Sequence, residues 1–347
     1  MTDKKVLVLC ATGKAGKGIV QGLVQRGYEV YGTTRSAKSG AVLEKLGAKP
    51  IVANYIVGAD VQRAVKESGA TQMVFITDFF GAAKSKMAVE EQHGKTIVDA
   101  AKASGITFTV FISVHDIEAY AKHRPKALHI QPKGKVEAYL RASGLAHAIL
   151  RCVPSSSSPF VACWRSRMRY PVLLCTFSLP LVASLALTHA PSISALHSPV
   201  AFFENLDDPA NWNPLKAGGI KFLTAAPTLY ISTFDLGKAA AACFADQAAW
   251  NGKTLECTSW KGDVKEVAAA LQAVSGVKCS GGLAMPTFFR WLFLHDLDQM
   301  CRYIEAGYPD GKASIEEFKA VVPDALDAQG WFRHHGVYAD GKPIVKA

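Results

Sequence analysis

From Val6 to Leu150, short apolar runs alternate with stretches whose apolar positions recur at helical spacing. Val6–Leu9, Glu29–Thr33, Pro50–Ala53, Met73–Ile76, Phe108–Ile112 and Ala146–Leu150 are short and mostly apolar, and they are predicted as strands. Gly16–Arg26, Ala41–Leu46, Val61–Ser68, Val89–Ser104 and Lys133–Ser143 lie between them and are predicted as helices. Gly27, Gly47, Gly105 and Gly144 each follow one of those helices, where a left-handed residue ends the helix and glycine bears it without strain. Strand and helix taking turns predicts right-handed βαβ units, and hence an α/β, doubly wound parallel sheet.

The alternation stops at Arg151. Residues 152–198 carry only three charges, Arg165, Arg167 and Arg169, and no Asp, Glu or Lys. They open on a serine run between Pro154 and Pro159 and continue into the uncharged Pro171–Leu187. That stretch reaches only the lower edge of bilayer-spanning length, and Pro180 sits at its centre. A span there would also leave the halves of one sheet on opposite sides of a bilayer, so no membrane contact is expected. After Pro199 the texture returns to normal, with an apolar run at Tyr230–Phe234 and a helix near Leu236–Asp246. Residues 251–347 mix Lys, Glu and aromatics over further helices. One of these, Thr287–Tyr303, gathers Phe288, Phe289, Trp291, Leu292 and Met300, which are expected to form core, with a substrate cleft or partner surface as the other uses. The domains expected are a sheet domain over 1–151 plus 199–250, an anomalous insert over 152–198, and a smaller mixed C-terminal lobe over 251–347.

Composition narrows the class. The 347 residues are 49% hydrophobic and 20% charged, a globular balance. The net charge of +10 favours anionic ligands. Its lysines and arginines are scattered without a basic run, so direct nucleic-acid binding is not expected. The eight cysteines form no CxxC pair, which argues against zinc and against a disulfide framework. His334-His335 and His295-Asp296 do not place three ligands on one face, and no metal is expected. Thr2 to Lys5 lead straight into a short apolar run with no signal-peptide pattern, so the expected place is the cytoplasm, with the nucleus as a second.

The candidate chemistry begins at the first turn. Val6 to Val20 reads as strand, glycine turn and helix, through Ala11, Thr12, Gly13, Lys14, Ala15 and Gly16. A dinucleotide pyrophosphate needs backbone N–H groups at a helix N-terminus and glycines that let the backbone come close. Gly13 and Gly16 meet that need on the first strand of a βαβ unit, and Gly18 allows tight helix–strand packing. The domain is thus expected to be a Rossmann fold. At the end of the second strand an NAD site would carry an acid for the ribose 2′-hydroxyl. Here stand Thr33, Thr34, Arg35 and Ser36, with Lys38 beyond. Arg35 can make a bidentate, charge-assisted contact with a 2′-phosphate and Lys38 can add a second charge, so the expected cofactor is NADP(H).

These residues carry a resemblance. Ala11 to Gly16, Thr33-Thr34-Arg35, Phe75 to Phe79, Gly94-Lys95, the strand ending at Ser113, His129 to Lys133, and Phe202-Phe203-Glu204-Asn205 together resemble the NmrA-like family of atypical short-chain dehydrogenases. The family's GxxGxxG motif has Cys10 in its first position here, which narrows the freedom of that turn. The resemblance implies that Thr77 and Phe79 lie beside the cofactor. It also implies two kinds of relative: NADPH-dependent reductases of quinone-like, carbonyl or aromatic molecules, and redox-sensing regulators that report the NADPH/NADP state to a protein partner. Short-chain dehydrogenases use a tyrosine acid with a lysine four residues later. This chain keeps Lys133, has His129 in the tyrosine's place, and has Ser113 in the place of the third catalytic group. His129 could protonate a substrate or be a loop histidine, and Lys133 could be acid, base or cofactor clamp. The missing tyrosine favours the regulator; Lys133 and an aromatic lobe keep the reductase open.

The same resemblance accounts for the middle of the chain. Joining Ile149-Leu150-Arg151 to Pro199 through Asn205 restores the family's pattern, so residues 152–198 are expected to be translated non-coding sequence.

Overall fold

The computed structural model describes residues 4–79, 81–114, 129–152, 201–206, 219–284, 286–293, 295–307 and 312–336. The expected insert falls outside the described residues, apart from Cys152.

The first half forms the expected alternation: β1 (Lys5–Val8), α1 (Lys14–Gln25), β2 (Glu29–Thr34), α2 (Ala37–Lys45), β3 (Lys49–Val52), α3 (Gly58–Ser68), β4 (Gln72–Ile76), α4 (Met87–Ala103), β5 (Phe108–Val114), α5 (Gln131–Ala142) and β6 (His147–Cys152). The four glycines expected to end helices have φ of 79° at Gly27, 83° at Gly47, 86° at Gly105 and 76° at Gly144, all left-handed. Helix α2 begins four residues before the apolar pattern does, because the Ser36 side chain accepts the Ser39 N–H and caps a first turn that is largely polar.

The sheet has seven strands in the order β10-β6-β5-β4-β1-β2-β3, every neighbouring pair parallel. The order reverses between β1 and β4, which opens a crevice at the carboxyl ends of those strands. Alternate residues of each strand feed opposite layers. Val6, Val8, Val110 and Leu150 pack on the α1 side, whereas Leu7, Phe75, Phe111 and Ile149 pack with Ile97 of α4 and Val136 of α5.

The seventh strand, β10 (Thr254–Cys257), pairs with β6 in register from Thr254↔Ile149 to Cys257↔Cys152. The sheet therefore draws on residues beyond 250. Helix α6 (Thr233–Ala245) packs on α1, and there Gly18 meets Thr233. The close approach expected between helix and strand at Gly18 is thus one between two helices. Helix α7 (Gln247–Trp250) follows α6.

The remaining described strands are β7 (Ala201–Phe202), β8 (Gly219–Phe222), β9 (Thr228–Ile231), β11 (Trp260–Gly262) and β12 (Ser280–Leu283). They make a mixed three-stranded sheet, β11-β9-β7, and a parallel pair, β12-β8. With α8 (Val264–Ser275), α9 (Thr287–Phe293), α10 (His295–Glu305), α11 (Lys312–Val321) and α12 (Ala328–His334) they complete the chain's second half. A third core forms there around Phe203, Tyr230, Trp331 and Leu271, with Phe203 stacked on Tyr230 at 5.3 Å. Phe318 and Val322, at the end of the chain, join the core of the main sheet instead.

Helix α9 departs from expectation. Phe288, Phe289, Trp291 and Leu292 are exposed, Phe288 by 61% and Trp291 by 48%, while Arg290 is 2% exposed. The Arg290 guanidinium donates to Asp298 at 2.8 Å, to Glu305 at 2.7 and 3.0 Å, and to the Leu223 carbonyl at 2.8 Å. One buried arginine with several acceptors fixes the helix with its aromatic face outward. Among the described residues no helix is long and apolar enough to cross a membrane, and no cluster of side chains suits a metal ion.

Candidate functional site

A cleft opens where the strand order reverses. Its near wall is the turn between β1 and α1, with Cys10, Gly13, Lys14, Ala15 and Gly16. Gly13 caps α1 with no side-chain hydrogen bond, and the first turn holds no acidic residue. The helix thus presents unsatisfied N–H groups and the positive end of its dipole to the cleft. A Cβ on Gly16 would overlap the Cys10 carbonyl and the Ala11 backbone, so only glycine permits this turn. Of the other predicted loop residues, Ala11 is buried in the core and Thr12 is half-buried; neither lines the cleft.

Cys10 holds the first glycine's conformation without being glycine. Its φ is +56°, in the left-handed region. Its N–H donates to Thr33 Oγ1 at 3.1 Å and its carbonyl accepts the Gly13 N–H at 3.1 Å. Burial pushes the Cys10 thiol up to about 11, against a hydrogen bond with Tyr55 and the positive charge of Arg35. Arg35, directly after β2, is exposed and lies outside the cleft lining but within electrostatic reach of Cys10 and Tyr55. Lys38 is exposed in the first turn of α2 and also lies outside the lining.

The far wall gathers residues from the ends of several strands. Ile76 ends β4, and Thr77, Asp78 and Phe79 follow it; Ser113 and Val114 end β5; His129 precedes α5 and Lys133 lies in its first turn; Cys152 ends β6. Thr77, Phe79, Ser113, His129 and Lys133, all predicted, are thus brought together. Ser113 Oγ is buried and makes no hydrogen bond among the described residues. The His129 and Phe79 rings lie 6.3 Å apart. The Cys152 thiol donates to the Ser113 carbonyl at 3.0 Å. Burial pushes this thiol up to about 12, opposed by the charge of Lys133.

Behind this wall stands a residue that sequence reasoning missed. Glu90, on α4, is 0% exposed and forms an ion pair with Lys133 Nζ at 2.5 Å. Its Oε1 also accepts the Thr77 hydroxyl at 2.6 Å. A signal was present in the sequence: Glu90, Gly94 and Ile97 follow one another at i, i+4 and i+7, so an acid sits on the apolar stripe of its helix. Gly94 leaves room for Val136 of α5, which holds α5, and therefore Lys133, against α4. His93, one turn after Glu90, is lowered by partial burial, against the pull of Glu90 and Asp78.

The model of the NmrA-like family matches residues 2–157. Over that stretch the chain resembles this family. The NmrA-like oxidoreductase ptmS of Penicillium ochrochloron is 27% identical over 157 residues, which are 44% of this chain and 47% of that protein. The match thus spans about half the length of this curated relative. In fold the likeness runs further. The negative transcriptional regulator NmrA, solved in complex with NADP, superposes with a TM-score of 0.62 over 96% of each chain at 16% identity. The NADPH-dependent quinone oxidoreductase QOR2 of Escherichia coli, solved with NADPH, gives 0.58 over 93% of this chain and 97% of that one, also at 16% identity. The matched stretch holds the glycine turn between β1 and α1, Glu90, Ser113, His129 and Lys133, and it ends just past β6.

Proposed function

We propose that the cleft binds NADP(H) and that the protein is a redox-responsive regulator, which senses the NADPH/NADP state for a protein partner. The observation that carries this reading is the ion pair of Lys133 with buried Glu90, in a cleft whose described lining contains no tyrosine. Short-chain dehydrogenase chemistry needs a phenol as acid and a lysine charge to lower its pKa. Here the lysine charge faces a carboxylate and His129 has the tyrosine's place.

The residues fit the nucleotide. The uncapped N-terminus of α1, free of acids, suits a pyrophosphate, and the Cβ-free face at Gly16 lets the turn close. Lys133, Ser113 and Thr77 would face the nicotinamide end, where Lys133 can donate to ribose hydroxyls. Arg35, with Lys38 as a second charge, would hold the 2′-phosphate. When bound, NADPH supplies a hydride. The chain's own part is to hold the ribose and to exclude water with Phe79, Ile112 and Phe202.

A second reading, a reductase of a quinone-like, carbonyl or aromatic small molecule, draws support from Ser113. Its hydroxyl is buried without a hydrogen bond among the described residues, and in this reading it would donate to a substrate oxygen. Titration with NADPH and NADH, followed by nucleotide fluorescence, tests the site. Tight NADPH binding with no reduction of quinones or carbonyls supports the regulator. Turnover that Lys133→Ala abolishes while binding persists supports the reductase. Failure to bind either nucleotide removes both readings.

A further inference from the structure

Lys133 stands on the cleft wall and Glu90 lies fully buried behind it. One Glu90 oxygen takes both Lys133 and Thr77, and the other, Oε2, is buried with no hydrogen bond among the described residues. A carboxylate taken out of water needs an opposite charge beside it, so the two groups act on the cleft as one nearly neutral unit. The other charges on the lining are already engaged: Asp78 accepts the Gly81 and Ala82 N–H groups at 2.8 and 3.1 Å, and Lys14 donates to Asn205 at 3.4 Å.

A nicotinamide ring is cationic when oxidised and neutral when reduced. A bare lysine charge beside it repels the oxidised ring and leaves the reduced one untouched, whereas a compensated lysine repels neither. We propose that Glu90 sets the preference of this site between oxidised and reduced dinucleotide, by cancelling the charge of Lys133 at the nicotinamide end. The inference rests on the reading that the cleft takes NADP(H). Glu90 is a specificity-determining residue in this account. Lys133 holds the ribose of either form, and Glu90 decides whether the oxidised ring is tolerated.

The test compares Kd for NADP+ and for NADPH in the unmodified chain, in Glu90→Gln and in the double variant Glu90→Gln/Lys133→Met, by calorimetry. 2′-Phospho-ADP-ribose, which lacks the nicotinamide, serves as the control for an intact site. Glu90→Gln should shift the NADP+/NADPH preference about tenfold towards NADPH. The double variant, neutral again, should return to within about twofold of the unmodified ratio. Should Glu90→Gln fail to bind the control, Glu90→Leu, which also leaves the lysine bare, is measured in its place. A ratio within about twofold of the original in the single variant that binds the control, or a double variant displaced as far as the single one, overturns the proposal. If the unmodified chain takes up neither nucleotide, the reading of the cleft fails first and this proposal fails with it.

Discussion

Gly18 on α1 and Thr233 on α6 lie so close that a methyl group on Gly18 would overlap the threonine side chain. One turn on, Gly22 and Gly237 meet backbone to backbone. Both helices pack on one face of the sheet, and their contact sets how α1 sits beneath the turn that follows β1. Gly18→Val should therefore cost about 3 kcal/mol or more, since the overlap falls partly on backbone and cannot be relieved by a rotamer change. Denaturant unfolding should show the loss. A variant as stable as the parent would mean that α1 and α6 can separate freely.

Cys10 pairs a left-handed backbone with a half-buried thiol. A non-glycine residue in that region costs about 1–2 kcal/mol, while glycine gives back roughly 0.5–1 kcal/mol through the unfolded chain. Cys10→Gly should thus leave stability unchanged or raise it by about 1 kcal/mol, and Cys10→Val should lower it by about 2 kcal/mol or more. Because the thiol is pushed up to about 11, it is protonated at neutral pH, and alkylation by iodoacetamide should be slow there and accelerate towards that value. Fast modification of Cys10 at pH 7 would contradict the burial argument.

Much of this was legible in the chain. Most strands of the main sheet through β6 announce themselves because both faces are largely buried and the runs are mostly apolar, as in Phe108–Val114. The glycine turn between β1 and α1 was legible because glycines in a strand–turn–helix setting have few other uses. Strand β10 was not, since Thr254–Cys257 is short and only half of it is buried. Its place in the sheet comes from pairing with β6, a long-range contact that local pattern does not carry. Helix α9 misled for a related reason. An aromatic cluster suggests core, yet the buried residue is Arg290, because Asp298 and Glu305 of α10 supply the partners that make its burial tolerable. Glu90 escaped notice because a single acid in a first turn usually serves the helix dipole.

The Arg290 clamp predicts an acid limit to stability. Burial alone would raise Asp298, but hydrogen bonds from Arg302 and Arg290 outweigh it and hold its carboxyl below the usual range. In the unfolded chain the group returns to about 3.9. The folded protein therefore binds this proton less readily than the unfolded one. The stability involved is present above the unfolded value and is lost as pH falls through the depressed folded value. Asp324, held down by Lys238 against its own burial, adds in the same direction. Asp298→Asn should remove part of the acid sensitivity and lower stability at pH 7 by about 3 kcal/mol, because Arg290 loses a charged partner while staying buried. Thermal melts of both proteins from pH 7 to pH 3 test this. An unchanged pH profile in the variant would show that the clamp is not what acid breaks.

Arg35 gives the sharpest test of the cofactor reading, since it is exposed and its loss should not disturb the fold. Thr33 and Thr34 before it are buried in β2, so the backbone that presents the guanidinium is fixed. A hydrogen bond to a charged group contributes about 1.5–3 kcal/mol, which is roughly a 10- to 100-fold change in Kd. Arg35→Ala should weaken NADPH by that factor and leave NADH nearly as it was, because NADH has no 2′-phosphate. Lys38→Ala should act in the same direction by less, as a point charge without the planar fork. Equal weakening of NADPH and NADH in Arg35→Ala would mean that the guanidinium stabilises the loop around Cys10 and Tyr55, and that selection for the phosphate lies elsewhere.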